Sequence, residues 1–250
     1  PYANETLFDA GHLAETLAEL KEFSGELIAP THDDPDRPEG FFWDNGQFGY
    51  SDAVSYYCFI RSRKPKRILE IGSGFSTLVA SKAIEANGFG SITCIEPFPR
   101  PFLASTRHVE EVLQVPVQEV GADWINSRLS YGDFLFIDST HTVKIGSDCL
   151  HIYLRLLPRM EHRLLVHVHD VFLPDGMPAE WAKQNHIYWT EQYLLLAYLL
   201  DNPRIQDEWG SQYHQKYNLE LLESLAPSHV LPGGSSFWYS RSDRFADGRS

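Results

Sequence analysis

Short apolar runs alternate with helical stretches through the middle of this chain. Strands are predicted at Arg67–Ile71, Ser91–Ile95, Val115–Val120, Phe134–Asp138 and Leu164–His169. Helices are predicted between them, near Ser76–Asn87, Pro101–Leu113, Ala122–Leu129 and Val143–Leu157. Phe134-Leu135-Phe136-Ile137 is apolar at every position, so both of its faces need cover. That is the habit of a parallel strand with helices on each side of the sheet. Repeated strand–helix units predict a doubly wound α/β fold.

Ahead of this region, Leu13, Leu17 and Leu20 recur at helical spacing and predict an amphipathic helix over Glu5–Phe23. Thr31–Gly40 is polar and broken by prolines, hence a loop. An aromatic, glycine-rich stretch follows at Gly40–Tyr50, and Ser51 or Asp52 can cap a helix running to Arg63. After Asp170 come a long loop at Phe172–Pro178, a helix over Trp189–Leu200, and weak strands at Ile205–Gln212 and Ser236–Ser240. The total is a mostly parallel seven-stranded sheet. Residues 1–64 form an N-terminal helical cover, 65–240 the α/β core, and 241–250 a polar, frayed tail.

Composition narrows the function classes. The chain has 250 residues, 43% apolar and 13% aromatic, enough for one large core. Lys plus Arg is 21 and Asp plus Glu is 34, a net charge of −13. With no basic cluster longer than Arg61–Arg67, nucleic acid is not an expected partner. The longest strongly apolar run, Leu194–Leu200, is far short of the roughly 20 residues of a membrane span. Cys58, Cys94 and Cys149 are odd in number and sit in apolar stretches. They read as buried free thiols in a reducing, cytoplasmic compartment. The start at Pro1, without Met or signal peptide, fits a processed product or a domain cut from a longer protein.

Candidate chemistry begins where Arg67–Ile71 runs into Gly72-Ser73-Gly74. Two glycines permit a tight turn and close approach of a ligand at the carboxyl end of a strand. A dinucleotide fingerprint has a third glycine and sets pyrophosphate against the helix. Here Thr77 holds that position, and Glu70, just before the loop, would repel a pyrophosphate. A cationic or zwitterionic ligand suits this pattern better. Glu96 ends the next strand, where an acid can accept hydrogen bonds from ribose hydroxyls.

These residues resemble the class I S-adenosylmethionine-dependent methyltransferases. Glu70-x-Gly72-x-Gly74 is similar to their first motif, and Glu96 to their ribose-binding acid. The resemblance implies a Rossmann-like methyltransferase fold with S-adenosylmethionine on Glu70, Gly72, Ser73, Gly74 and Glu96. By looser similarity, Asp123 and Trp124 fall where the adenine is contacted.

Two more strand ends carry chemistry. Asp138 closes one and is followed by His141; His169 and Asp170 close the next. Side by side, Asp138 and Asp170 can hold a hard divalent cation, with waters left for substrate hydroxyls. His167 reads as a buried structural histidine, although His167-x-His169 also has the spacing of a transition-metal pair.

The ordered set resembles metal-dependent O-methyltransferases, closest to those acting on sugars in macrolide pathways and to their bacterial relatives. The resemblance implies Asp138 and Asp170 as ligands of Mg2+ or another divalent cation, and His141 as base, with Asp138 and His141 the catalytic pair. His169 stands where those enzymes often carry an acid, which makes it a further candidate ligand.

The expected activity is methylation of a hydroxyl on a sugar or glycosylated small molecule. The alternatives are a nicotinamide-dependent oxidoreductase, or a non-catalytic cofactor-binding module of a larger protein. The expected acceptor is a small molecule or carbohydrate; neither nucleic acid nor membrane is expected as a partner, and self-association is left open.

Overall fold

Seven strands build one sheet in the order β3-β2-β1-β4-β5-β7-β6. They are β1 (Arg67–Ile71), β2 (Ser91–Ile95), β3 (Val109–Leu113), β4 (Phe134–Ile137), β5 (Leu164–Val168), β6 (Ile205–Gly210) and β7 (Phe237–Arg241). The first five are parallel; β7 runs antiparallel between β5 and β6. The structure, a computed structural model, describes residues 7–33, 40–225 and 233–242. The start of the expected first helix, residues 34–39 of the expected loop and residues 243–250 of the expected tail lie outside the described residues.

Alternation along each strand creates two apolar layers. One contains Ile68, Ile92, Phe134, Phe136 and Trp238, covered by α2 (Tyr50–Arg63) and α3 (Phe75–Asn87). The other contains Leu69, Leu135, Val166 and Tyr239. It is covered from α4 (Ala122–Arg128), α5 (Asp148–His151) with its π-helical continuation Ile152–Leu156, and α7 (Glu191–Leu199). Helices on both faces confirm the expected doubly wound architecture. Helix α2 is buried at every residue from Ser51 to Ile60, which explains why it carries no clear amphipathic stripe. Helix α1 (Ala10–Leu20) is capped by Asp9, whose side chain accepts from the amides of Gly11 and His12 at 3.1 Å.

Several boundaries differ from the sequence expectation. The third strand is Val109–Leu113, inside the stretch expected to be helical, and Val115–Val120 is not a strand. Pro116 denies that stretch a ladder donor, and Val117–Glu119 forms a single 3-10 turn instead. Strand β3 is an edge strand with no fully buried residue, so its apolar signal is weak. The helix expected from Val143 starts only at Asp148, because Gly146 at φ +76° interrupts the chain and Ser147 provides the cap.

Helix α2 starts at Tyr50 with no side-chain cap, so neither Ser51 nor Asp52 has that role. Strand β6 stops at Gly210, and α6 (Ala179–Gln184), α8 (Ser211–Tyr217) and α9 (Leu219–Glu223) add to the expected helices. Arg241, expected to open the tail, closes β7 and is buried, donating to the carbonyls of His162 and Met160. The three cysteines are free and buried, and among the described residues no helix is long and apolar enough to cross a membrane.

Candidate active site

The glycine loop is fixed by what surrounds Gly72. Its φ is +83°, and a Cβ there would lie 2.2 Å from the carbonyl oxygen of Asp138. Its amide donates to Ile95 at 3.0 Å, while the Asp138 amide donates to Ile71 at 2.8 Å. The carboxyl ends of β1, β2 and β4 therefore converge on a residue that has to be glycine.

Glu70 supports this loop from within. Its carboxylate accepts from Tyr56 Oη at 3.0 Å and from Thr77 Oγ1 at 2.5 Å. Thr77 Oγ1 in turn accepts from the Gly74 amide at 3.1 Å. Glu70 is fully buried, and that burial pushes its pKa up to about 7 despite the hydroxyls bonded to it. Both oxygens face the protein interior, whereas the sequence expectation turned them toward a ligand.

Glu96, at the end of β2, is half-buried and bridges two loops. One oxygen accepts from the Ser73 amide at 3.2 Å, the other from the Phe98 amide at 2.8 Å. Asp123 and Trp124 lie in the first turn of α4; Asp123 is exposed, and the Arg128 guanidinium sits 4.4 Å over the Trp124 ring.

One strand further on, Asp138, His141 and Asp170 bring ligand-type atoms within 4.8 Å of one another. His141 Nε2 is 3.2 Å from Asp138 Oδ1 and 3.4 Å from Asp170 Oδ2. His169 lies outside that three-residue group, yet its Nδ1 is 3.7 Å from the same two oxygens. His141 and Asp170 both adopt left-handed backbone, at φ +58° and +57°, a conformation that persists at non-glycine residues only where the surroundings hold it. For His141 the hold is visible: its carbonyl accepts from the amides of Thr190 and Glu191, at 2.7 and 3.0 Å, at the start of α7.

Two carboxylates that sequence reasoning did not assign complete the cluster. Buried Glu191 accepts from His141 Nδ1 at 2.8 Å, from Ser139 Oγ at 2.6 Å and from Tyr153 Oη at 3.0 Å. Buried Asp52 accepts from Ser211 Oγ and the Ser235 amide at 2.8 Å and the Ser236 amide at 3.0 Å, and lies 3.4 Å from His169 Nε2. Nothing in the local pattern marks either one. Glu191 lies near the start of an expected helix, and Asp52 reads as a helix cap.

Electrostatics follow from this crowding. Burial alone would lower the His141 pKa, but bonds to Asp138 and Glu191 raise it to about 10. Asp138 is only half-buried, and its two histidine partners hold its carboxyl below the usual carboxylate range. His167 differs: burial keeps it neutral, its Nε2 pairs with Ser236 Oγ at 2.6 Å, and its ring stacks 4.2 Å from Trp238. It is structural, as expected.

Beside Asp170 opens a cavity of about 320 Å³, walled in part by Trp43, Tyr50, Phe172 and Trp181, with His169 and Asp52 also in its lining.

An open α/β sheet with a glycine loop, a strand-end acid and a carboxylate–imidazole cluster along one edge defines a ligand-binding domain of the doubly wound class. Residues 69–171 match the family described as a methyltransferase domain. An uncharacterised protein of Archaeoglobus fulgidus is 37% identical over 98 residues, which are 35% of this chain and 44% of that protein, so the match covers under half of the relative's length. Among solved structures, the O-methyltransferase from Bacillus cereus in complex with SAH is 14% identical, covers 92% of this chain and 91% of its own, and has a TM-score of 0.42. The plantazolicin methyltransferase BpumL in complex with SAH is 15% identical, over 96% of this chain and 98% of its own, at a TM-score of 0.45.

Proposed function

We propose that this chain transfers a methyl group from S-adenosylmethionine to a hydroxyl of a small molecule, a carbohydrate or glycosylated compound. The observation that carries this reading is the packing of Gly72 on Asp138, which joins the glycine loop and the carboxylate–imidazole cluster into one edge. A donor seated over Gly72–Gly74, its ribose on Glu96, has its methyl group beside Asp138 and His141. Methyl transfer from a sulfonium is an in-line displacement, so positioning is most of the work.

The residues fit a divalent cation. Glu191 pairs with His141 Nδ1, and His141 Nε2 lies 3.2 and 3.4 Å from two carboxylate oxygens, so with no cation bound the ring holds a second proton there. Two carboxylates so close call for a positive charge between them; the His141 imidazolium supplies it when the site is empty, and with a cation bound that proton is displaced and Nε2 is free to act as base. Asp138 and Asp170 would hold the cation, with His169 as a further donor, and when bound it would polarise the acceptor hydroxyl. His141 Nε2 takes the proton that the hydroxyl loses as its oxygen attacks the methyl carbon, while the carbon–sulfur bond breaks and its electron pair returns to sulfur, leaving S-adenosylhomocysteine. Glu191 keeps the ring oriented and stabilises the imidazolium that forms.

Calorimetry tests the donor half: S-adenosylhomocysteine should bind in the micromolar range and NAD should not. NAD binding with no response to S-adenosylhomocysteine would defeat the proposal.

A further inference from the structure

His169 has one ring nitrogen accounted for and one not. Nε2 faces Asp52, whose carboxylate is saturated by Ser211, Ser235 and Ser236 and cannot move freely. Gly234 closes over it: a Cβ there would lie 2.2 Å from Asp52 Oδ1, and its φ is +134°. Nδ1 is buried without a hydrogen-bond partner, in a residue only 4% exposed. It lies 3.7 Å from both Asp138 Oδ1 and Asp170 Oδ2. A buried polar atom left unpaired is costly and calls for an explanation. Because Nδ1 has no open surface, an acceptor molecule in the cavity cannot reach it. An ion resting on the two carboxylates can.

We propose that Asp52 is a positioning residue that turns His169 Nδ1 onto Asp138 and Asp170, making His169 a nitrogen donor of the cation site and favouring a first-row transition ion such as Mn2+ or Fe2+ over Mg2+. This rests on the cation reading above and adds to it the ion's class and the residue behind its nitrogen ligand. The chemistry is that of donor softness. Carboxylates suit Mg2+ and Mn2+ alike, whereas an imidazole in the set adds affinity for a first-row transition ion and little for Mg2+. Asp52 has the usual place of a carboxylate behind a ligating histidine, fixing the tautomer through the far nitrogen.

The test uses the whole chain saturated with S-adenosylhomocysteine, titrated calorimetrically with Mn2+ and with Mg2+. Bound Mn2+ is also read by the imidazole-nitrogen modulation of its electron spin echo. Mn2+ should bind more tightly than Mg2+ by at least about tenfold, with nitrogen modulation present. His169→Gln should abolish the modulation and bring the two affinities toward parity, while His141→Gln should leave the modulation in place. Asp52→Asn should weaken Mn2+ about tenfold or more, the usual effect of losing such a partner, and shift the His169 tautomer seen in long-range nitrogen–proton spectra.

Equal affinities for the two ions, or modulation that survives His169→Gln and disappears in His141→Gln, overturns the inference. If Asp52→Asn does not fold, Ser211→Ala frees one side of the same carboxylate and should weaken Mn2+ in the same sense; the His169 comparison decides independently. Absence of any cation binding overturns this inference together with the cation step. Failure to bind S-adenosylhomocysteine is read separately and strikes the methyl-donor assignment.

Discussion

His141 Nδ1 lies 2.8 Å from Glu191 Oε2, so an imidazole that follows β4 is held by a carboxylate opening α7, fifty residues away. Glu191 also receives the hydroxyls of Ser139 and Tyr153. An amide in its place would offer a donor where three donors already point. Glu191→Gln should therefore cost about 1–3 kcal/mol of stability in urea unfolding. Methyl transfer should fall by about a hundredfold or more, as expected when a general base loses its orientation. Affinity for S-adenosylhomocysteine should change little, since the hydrogen bonds of Glu191 go to His141, Ser139 and Tyr153 and not to the glycine loop. Unaltered turnover would remove Glu191 from the site.

The cation-free protein should lose stability as alkaline pH is approached. His141 has its pKa raised from 6.5 to about 10. A raised histidine pKa means that the folded state binds the proton more tightly than the unfolded chain. Its contribution is complete below pH 6.5 and is lost as pH rises toward about 10. Thermal unfolding between these limits should show a falling midpoint, and saturating Mn2+ should flatten the fall by supplying the positive charge. A midpoint independent of pH across this window would contradict the His141 environment.

Glu70 governs a lower window. Burial raises its pKa from 4.5 to about 7, so the folded state favours the protonated acid. Stability should fall as pH rises from 4.5 to 7, by about 3 kcal/mol for a shift of this size, and then level off. In Glu70→Gln the slope should vanish, and the variant should gain on the wild type at pH 8 more than at pH 5. Differential scanning calorimetry at the two pH values checks this.

Much of the fold was legible because apolar strands announce themselves. Strands β1, β2, β4 and β5 emerge from unbroken runs such as Phe134–Ile137, and the convergence of Asp138, His141 and Asp170 follows from their places at adjacent strand ends. Strand β3 was missed because its Glu110 and Glu111 lie on a half-exposed edge, where burial does not dictate apolar residues. Asp52 and Glu191 were illegible for another reason. Each reaches its histidine from a distant part of the chain, 117 and 50 positions away respectively, and no local spacing encodes such a pairing. The direction of Glu70 also escaped the sequence, since motif position alone does not say whether a strand-end acid turns inward.

Gly72→Ala should damage both the loop and the cluster. The added methyl meets the Asp138 carbonyl at 2.2 Å, and φ +83° strains any side chain. A loss of at least about 2 kcal/mol in urea unfolding is expected, from backbone strain plus displacement of β4. Stability within experimental error of the wild type would show that the two strand ends can separate cheaply.

Glu96 separates donor binding from loop support. Its two oxygens each accept one backbone amide, from Ser73 and from Phe98, and a carboxylate has lone pairs left for ribose hydroxyls. Hydrogen bonds to a charged acceptor are worth about 1.5–3 kcal/mol each. Glu96→Ala should therefore weaken S-adenosylhomocysteine at least tenfold in calorimetry. It should also lower the melting temperature of the free protein slightly, because the Ser73 amide loses its partner. Glu96→Gln offers the discriminating comparison. The amide oxygen can still accept from one loop amide, but the nitrogen cannot accept from a ribose hydroxyl and the charge is gone. Its melting temperature should lie close to that of the wild type while most of the affinity loss remains. If Glu96→Gln binds S-adenosylhomocysteine as tightly as the wild type, Glu96 only braces the loop and the ribose is held elsewhere.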